Sequence, residues 1–254
     1  MDIQAYLDRI GYRGPLTPTA ETLRALQVAH LQTVPFENLS IHARQPIVLD
    51  DESLFDKVVA RRRGGFCYEL NGIFAALLRA LGFQVTMLSA AVARADGTFG
   101  PDFDHMALLV TLEERWLADV GFGDSFRDPL RLDERGEQPE GARTFRIDED
   151  GGSLTHHLLL LRRDSSEEPW QPQYRFTLQL HEFPDYAGMC HFHQTSPESH
   201  FTRQTLCSLA TPEGRVTLSG MKLITTRGSE RQEQVLASEE ERAALLREMF
   251  GVMV

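Results

Sequence analysis

The sequence has few cysteines, and their arrangement excludes two classes of protein. Among 254 residues only Cys67, Cys190 and Cys207 are cysteines, an odd number, and no Cys-x-x-Cys motif occurs. A disulfide-stabilised scaffold or a zinc ribbon needs more cysteines at closer spacing. The count favours a reducing compartment, so we expect a cytoplasmic protein whose core is large enough to need no covalent cross-links.

Long apolar runs and an excess of basic residues are also missing. No segment reaches the roughly 18 consecutive apolar residues of a membrane span, and the amino terminus lacks the features of a signal peptide. The net charge is −11, and residues 81–254 carry all of it, because residues 1–80 hold nine basic and nine acidic side chains. An acidic chain without a basic stripe argues against nucleic acid as a partner. We therefore expect small-molecule partners and no membrane association.

Motifs that bind nucleotide phosphates or metal ions are absent too. Neither a Walker motif nor Gly-x-Gly-x-x-Gly occurs in the sequence. Cys190, His191 and His193, with His181 nearby, are too close in sequence to converge easily on one tetrahedral ion. No second Cys/His pair stands at zinc spacing, so we expect no metal site.

The first third of the chain has the apolar spacing of helices. Residues 3–10, 19–31, 51–59 and 68–81 each repeat apolar side chains at intervals of three and four. Gly11 and Gly82 stand where the first and last of these helices should end. Thr17 is predicted to cap the second helix, with Pro18 at its first position.

After residue 82 the pattern becomes that of short strands separated by turn residues. It predicts strands at 84–93, 106–112, 115–120, 143–147, 156–161, 174–180, 202–210, 215–218 and 222–226. Residues 183–193 favour a helix, and a final helix should begin at a capping box of Ser238 and Glu241 and end at Gly251. The pattern as a whole predicts an α+β protein with an antiparallel barrel or sandwich.

Cys67 is the most informative position for chemistry. Two glycines precede it and a predicted helix begins at or just after it. The positive end of a helix dipole and unpaired amide groups lower a thiol pKa and favour the thiolate. The alternative is a small buried residue that happens to begin a helix.

His105 and Asp119 are the candidates for the base and for the group that orients it. A thiolate nucleophile needs both. If 106–112 and 115–120 form a hairpin, the two side chains lie at the same end of it, and pairing would offset the cost of an acidic residue in an apolar strand. The alternatives are a loop histidine and an aspartate that caps a strand end.

Several motifs in the same order resemble the arylamine N-acetyltransferase family. The motif at 62–67 (Arg-Arg-Gly-Gly-Phe-Cys), with Glu69 and Asn71, resembles the family's active-site motif. The segment 34–39 (Val-Pro-Phe-Glu-Asn-Leu) resembles its amino-terminal motif, and 119–123 (Asp-Val-Gly-Phe-Gly) the segment with its catalytic aspartate. Segments 194–197, 199–201 and 207–209 also fit, so the resemblance runs from about residue 3 to 250.

The resemblance implies an architecture and a mechanism. It implies a helical domain (1–82), an antiparallel β-barrel domain (83–181), an interdomain segment (182–207) and a small α/β lid (208–254), with a triad arranged as in cysteine proteases. It also implies that Cys67, His105 and Asp119 carry out a ping-pong transfer. Cys67 would take the acetyl group from acetyl-coenzyme A and pass it to an arylamine, a hydrazine or an N-hydroxyarylamine.

The resemblance also implies residues around the triad. Phe36, Val92 and Phe122 fall at positions similar to the family's acceptor pocket, although each would equally suit ordinary core packing. Arg63 and Glu37 match a buried ion pair. We interpret Arg61 as a solvated arginine.

Coenzyme A contacts are implied for the loop before His105 and for the interdomain segment. Gly100 and Phe192 are the candidates, although Asp102 and Asp104 do not favour anionic phosphates. Many relatives continue past the last helix with a tail that reaches the cleft, so a chain ending at Val254 is expected to have a more open cleft or to bind coenzyme A in a different pose. The oligomeric state is not predicted.

Two other functions fit the same residues. An amide synthase of the same superfamily, or a papain-like hydrolase, would use the same three side chains on a different acyl group. A non-catalytic protein that binds aromatic compounds would keep the pocket, although the intact triad argues against it. Acylation of Cys67 by acetyl-coenzyme A distinguishes these functions from acetyl transfer.

Overall fold

A computed structural model describes residues 1–151, 157–228 and 230–253 of the chain. The predicted strand 156–161 begins at His156, which lies outside the described residues, as do Gly152 and Val254. No helix of the described part is long and apolar enough to cross a membrane.

Seven α-helices are formed within the described residues. They are α1 (Ile3–Ile10), α2 (Ala20–Thr33), α3 (Leu39–His42), α4 (Asp51–Phe55), α5 (Cys67–Ala80), α6 (Phe183–Thr195) and α7 (Glu239–Phe250). A π-helical turn (Asp56–Ala60) extends α4, and a 3₁₀ turn (His200–Thr202) follows α6. The helices predicted at 3–10, 51–59, 68–81 and 183–193 are confirmed within two residues.

The ends of the helices follow the expected chemistry with one exception. Gly11 and Gly251 adopt the left-handed conformation that ends α1 and α7, and Ser238 caps α7 by accepting the Glu241 N–H. The prediction that Thr17 caps α2 is wrong. Thr19 is the cap, because its hydroxyl oxygen accepts the Thr22 N–H, and Pro18 therefore precedes the helix.

Eight antiparallel strands form one nearly closed sheet in the order β5-β4-β3-β2-β9-β8-β7-β6. The strands are β2 (Gln84–Val92), β3 (His105–Thr111), β4 (Arg115–Ala118), β5 (Leu130–Arg131), β6 (Gln138–Glu140), β7 (Arg143–Glu149), β8 (Leu158–Arg163) and β9 (Gln171–Phe176). The Gln138 side chain bridges the open edge, since its amide accepts the Arg131 N–H and donates to the Arg131 carbonyl. The fold is therefore α+β, and the sheet is an antiparallel barrel whose last junction is made by a side chain.

A second antiparallel sheet has the order β1-β10-β11-β12-β13. Its strands are β1 (Phe36–Glu37), β10 (Leu206–Thr211), β11 (Gly214–Ser219), β12 (Lys222–Arg227) and β13 (Glu230–Val235). Phe36 in β1 pairs with Ser208 in β10, so the amino-terminal third contributes a strand to a sheet built mainly from the carboxyl-terminal residues. The predicted division between residues 207 and 208 falls inside β10.

Buried apolar side chains form three clusters. The first packs α1, α2 and α5 against one face of β2 and β3, the second fills the barrel, and the third lies between the five-stranded sheet and α7. The strand predicted at 174–180 is displaced, because β9 covers 171–176. β13 was not predicted, since all six of its residues are exposed and only Val235 is apolar.

Candidate active site

Cys67 is the first residue of α5 and is 3% exposed. Glu69 supports this helix end, because its Oε2 accepts the Phe66 N–H at 3.1 Å while its Oε1 pairs with the Lys57 ammonium at 2.6 Å. A buried carboxylate thus satisfies one of the amide groups at the helix start and is itself neutralised. The result is a fixed position for the thiol.

Two glycines allow the backbone to pack closely around Cys67. A Cβ on Gly64 would overlap the Pro35 carbonyl oxygen. A Cβ on Gly121 would lie 2.8 Å from the Cys67 Cα and 2.9 Å from the Cys67 carbonyl oxygen, distances that side chains essentially never adopt. The segment that follows β4 therefore lies directly against the start of α5.

His105 and Asp119 meet as the hairpin predicts. β3 and β4 pair antiparallel, with Leu108 opposite Ala118, so His105 at the start of β3 lies beside Asp119 just beyond β4. His105 Nε2 is 2.7 Å from Asp119 Oδ2, and both side chains are almost fully buried. This distance and burial are those of a strong charge-assisted hydrogen bond when the imidazole is protonated.

Three further donors hold the Asp119 carboxylate. Asn71 Nδ2 and the Gly121 N–H donate to Oδ1 at 2.8 and 2.9 Å, and the Tyr174 hydroxyl donates to Oδ2 at 3.2 Å. The Asp119 N–H itself donates to the Gln27 side chain at 3.2 Å. The buried charge is therefore compensated by hydrogen bonds on both oxygens.

Asn71 links the helix of Cys67 to the strands of the other two residues. It lies one turn beyond Cys67 on α5, donates to the Met106 carbonyl at 2.6 Å and accepts the Val120 N–H at 2.9 Å. The sequence placed Asn71 in a motif without giving it a role. Tyr174 and Gln27 carried no sequence signal, because they reach Asp119 from positions 55 and 92 residues away.

Cys67 and His105 open onto the same cavity of about 420 Å³. Phe36, Val92 and Phe122 line it. Gly100 and Phe192 do not belong to its lining.

A row of side chains across the five-stranded sheet forms one wall of the cavity. Phe36, Ser208, Thr217 and Ile224 stand opposite one another on successive strands, and all four line the space. Sequence reasoning missed the last three, because their shared face depends on the register of β10, β11 and β12. The wall is therefore half apolar and half hydroxyl-bearing.

Burial raises the pKa of the Cys67 thiol, and the Met106 backbone amide only partly offsets that rise. The expectation that the helix dipole and unpaired amide groups lower this pKa is wrong in its net direction. The physical reason is the loss of water around the charged form, which outweighs a partial positive charge. A thiolate here requires a nearby cation.

The arginine run before Cys67 divides into a buried part and an exposed part. The Arg63 guanidinium donates to Glu37 Oε1 at 2.8 and 3.0 Å, and its side chain is 11% exposed while that of Glu37 is fully buried. Arg61 pairs with Asp56 at the surface, where both side chains are more than half exposed. Both predictions for these arginines are confirmed.

The histidines near Cys190 do not gather around a common point. In the described ranges, which omit 152–156, 229 and 254, no group of three or more His, Cys, Asp or Glu residues could hold a metal ion. His193 instead contacts Ser199 and Asp104. The three cysteines are free.

Comparison with known proteins gives consistent similarities over nearly the whole chain. Residues 19–254 match a family model described as N-acetyltransferase. Arylamine N-acetyltransferase 2 of Mus musculus is 33% identical, and arylamine N-acetyltransferase 1 of Homo sapiens is 34% identical. Each alignment covers 99% of this chain and 94% of the relative.

Solved structures agree with these sequence similarities. The arylamine N-acetyltransferase of Mycobacterium abscessus superposes with a TM-score of 0.90 at 31% identity, covering 100% of this chain and 90% of that one. The Mycobacterium marinum enzyme in complex with CoA superposes with a TM-score of 0.90 at 32% identity, covering 99% and 93%. The fold of this chain is therefore shared along its length with proteins of known structure.

Proposed function

The chain belongs to the arylamine N-acetyltransferase family, and we propose that it carries out acetyl-CoA-dependent N-acetylation of arylamines through an acetyl group held on Cys67. The observation that carries the proposal is the shared cavity of Cys67 and His105, together with the 2.7 Å contact between His105 and Asp119. A nucleophile, a base and an orienting carboxylate are then in one buried site. The same arrangement supports a triad of the kind found in cysteine proteases.

Proton transfer within the site would generate the nucleophile. Asp119 holds His105 through Nε2, which leaves Nδ1 to accept the proton of the Cys67 thiol. Because burial disfavours an isolated thiolate, the charge is stabilised only as a thiolate–imidazolium pair, and Asp119 stabilises the imidazolium. Ionisation of Cys67 and protonation of His105 would be a single event.

In the first half-reaction the Cys67 sulfur attacks the thioester carbonyl carbon of acetyl-CoA. A new carbon–sulfur bond forms and the bond to the coenzyme sulfur breaks, while the His105 imidazolium returns its proton to the departing thiolate. One thioester replaces another, so the acetyl group remains activated for a weakly nucleophilic arylamine. The amide groups of the first turn of α5, which have no partner within the helix, are suited to bind the developing oxyanion.

In the second half-reaction the amine nitrogen attacks the acetyl carbon on Cys67. The carbon–nitrogen bond forms, the bond to the Cys67 sulfur breaks, and His105 accepts the proton of the amine. The thiolate–imidazolium pair is thereby restored for the next cycle. Hydrazines attack through nitrogen in the same way. An N-hydroxyarylamine would attack through its hydroxyl oxygen, with a carbon–oxygen bond formed, the bond to the Cys67 sulfur broken and the hydroxyl proton passed to His105. Both belong to the proposed acceptor range.

Aromatic side chains beside the nucleophile support the choice of acceptor. Phe122 packs edge-on against His105 with ring centres 5.1 Å apart, and Phe36 and Val92 also line the cavity. Flat apolar walls of this kind suit an aryl ring next to the base. We propose these three residues as the acceptor pocket.

The coenzyme contacts extend beyond the cavity. Gly100 donates its N–H to the Val92 carbonyl at 2.8 Å, which holds its loop against β2, and Phe192 lies on α6. We propose that these two residues contact the part of CoA that remains outside. We also propose the domain divisions near residues 82 and 181, where the chain passes from α5 to the barrel and from the barrel to α6, and a third division near 207, moved to the start of β10. A cytoplasmic setting is proposed as well, supported by the free cysteines.

Mass spectrometry of the intact protein tests the proposal. Mixing with acetyl-CoA without an amine should add about 42 Da, the mass of one acetyl group on the nucleophile. Cys67→Ala should abolish the adduct, whereas Cys190→Ala, a second buried cysteine, should retain it. An absent adduct, or one that survives Cys67→Ala, would contradict the proposal, and the first result would favour an amide synthase with a carrier-bound acyl donor.

A further inference from the structure

A second carboxylate–imidazole pair lies beside the proposed triad. His193 on α6 is 2% exposed, and its Nε2 is 3.2 Å from Oδ1 of Asp104, the residue directly before His105. The two atoms are at ion-pair distance without the alignment of a hydrogen bond, and the described residues offer this nitrogen no hydrogen-bond partner. Neither residue has a place in the mechanism above.

Ser199 orients the ring of His193. Its hydroxyl oxygen accepts the Phe201 N–H at 3.2 Å and lies 3.0 Å from His193 Nδ1. The hydroxyl hydrogen can be donated to Nδ1, and in the tautomer that accepts it the ring proton lies on Nε2. That proton then faces the Asp104 carboxylate.

Phe103, the residue before Asp104, has a strained backbone. Phe103 has a φ of +64°, in the left-handed region that non-glycine residues adopt at a cost. Its N–H donates to Ser89 Oγ at 2.8 Å, and its carbonyl accepts the Tyr68 hydroxyl at 2.6 Å. Strain of this kind persists only where the surroundings fix the conformation, and here β2 and α5 both do so.

Tyr68 connects the contacts of Phe103 and Asp104 to Cys67. Tyr68 follows Cys67 directly, so its hydrogen bond to Phe103 links the nucleophile's helix to the chain one residue before Asp104 and two before His105. The Phe103 ring also packs on Tyr186 of α6, with ring centres 5.2 Å apart. Helices α5 and α6 therefore hold the two residues before His105 from both sides.

We propose that Asp104 and His193 position the imidazole of His105 against Cys67. This inference rests on the proposed function, because it concerns the same thiol and the same base. Asp104 is a positioning residue, and its contact with His193 adds an anchor on α6 to the anchors that β2 and α5 give the turn at Phe103. Release of that contact leaves Asp104 without its anchor on α6, so the segment between Phe103 and the start of β3 shifts and the imidazole of His105 moves with it.

The rate of Cys67 alkylation by iodoacetamide, measured against pH, tests the proposal. Removal of either partner, in Asp104→Ala or His193→Leu, should slow alkylation at pH 7 by about ten- to a hundredfold, since a misplacement of about 1 Å has effects of that size. The acid limb of the profile should move to higher pH, because the thiolate is less well paired. The double variant should be no slower than the slower single variant, because both changes break one contact.

Conservative variants separate positioning from charge. Asp104→Asn keeps an acceptor for His193 and His193→Gln keeps a donor for Asp104, so each should recover most of the lost rate. If Asp104 acts only through its negative charge near Cys67, Asp104→Ala and Asp104→Asn would both speed alkylation instead, and that result would overturn the proposal. Rates within twofold of wild type in Asp104→Ala and His193→Leu would overturn it as well.

Matched controls and a reactivity control complete the experiment. Asp102→Ala and His191→Leu change exposed residues of the same loop and helix, and both should react like wild type. Melting temperatures show whether each variant is folded at the assay temperature. If the wild-type protein is alkylated at Cys67 by iodoacetamide but forms no adduct with acetyl-CoA, only the proposed function is contradicted. The two proposals therefore fail on different results.

Discussion

The substitution Asp119→Asn tests the proposed chemistry most sharply, because the site fixes the orientation of the new amide. Oδ1 of Asp119 faces two donors, Asn71 Nδ2 and the Gly121 N–H, whereas Oδ2 faces His105 and Tyr174. An amide must therefore turn its oxygen toward the two donors and its NH₂ group toward His105 Nε2. That NH₂ group requires an unprotonated Nε2, so the ring proton moves to Nδ1.

The contacts of Asn71 exclude the opposite orientation of the new amide at position 119. Its Nδ2 is fixed as a donor by the Met106 carbonyl and its Oδ1 is fixed as an acceptor by the Val120 N–H, so Asn71 cannot reverse its own amide. The variant would carry the neutral tautomer with Nδ1 protonated, which cannot accept the Cys67 proton. Loss of a charge-assisted hydrogen bond to the imidazolium removes a further ~1.5–3 kcal/mol.

The expected loss in kcat is about 10³–10⁴-fold, or about 4–5.5 kcal/mol in the activation free energy. The same tautomer error in a serine-protease triad costs about 10⁴-fold. Initial rates of CoA release with an arylamine acceptor measure the effect, and circular dichroism shows that the variant is folded. Because the buried charge is replaced by a neutral group, we expect little change in stability.

Tyr174→Phe is the matched control for this prediction. It removes one hydrogen bond at 3.2 Å from the same carboxylate oxygen without imposing a tautomer on His105, so we expect no more than about a tenfold loss. An Asp119→Asn variant with more than a tenth of the wild-type kcat would refute the tautomer argument. Equal losses in the two variants would refute it as well.

Two further predictions concern stability. Arg63→Gln leaves the buried Glu37 carboxylate without its ion-pair partner and should lower the free energy of unfolding by about 3–5 kcal/mol. Arg61→Gln at the surface should change it by no more than about 0.5 kcal/mol. Urea unfolding measures both values, and equal effects would contradict the distinction between the buried and the exposed pair. Burial lowers the pKa of His30 to about 3, below its unfolded value of about 6.5, so its contribution is complete above pH 6.5 and is lost as the pH falls. Between pH 6.5 and 4.5 the titration of His30 should lower the free energy of unfolding by about 2–3 kcal/mol. The total decrease over this range should be smaller in His30→Asn and should equal that of wild type in the exposed control His191→Asn. The same pH dependence in all three proteins would rule out this assignment.

Elements with a strong apolar period were predictable from the sequence. The helix of Cys67 and the hairpin of His105 and Asp119 were placed within one or two residues, because buried side chains repeat at 3.6 or 2 residues there. β13 was not predictable, since its ladder is made by backbone groups while its side chains are polar and exposed. β5 has only two residues, too few for any period to appear.

The three side chains of the proposed triad were predictable from the sequence, but the contacts that hold them were not. Cys67, His105 and Asp119 stand at positions whose local sequence already indicates a helix start and a hairpin end. Tyr174 reaches Asp119 from a strand on the far side of β2, and His193 reaches Asp104 from α6. Such contacts depend on strand order and helix packing, which no local pattern encodes.

The burial of Cys67 changes the explanation of its reactivity. A cysteine at a helix start suggests a thiolate stabilised by the helix, but burial raises this thiol's pKa despite that position. A neutral thiol is then the resting form of Cys67 wherever His105 is absent or misplaced, and the ion pair forms only when the imidazole is correctly placed. Under the proposed mechanism the reactivity of Cys67 depends on the placement of His105. Changes at Asn71 or Gly121 that shift the two elements should therefore reduce alkylation of Cys67, even though neither residue exchanges a proton.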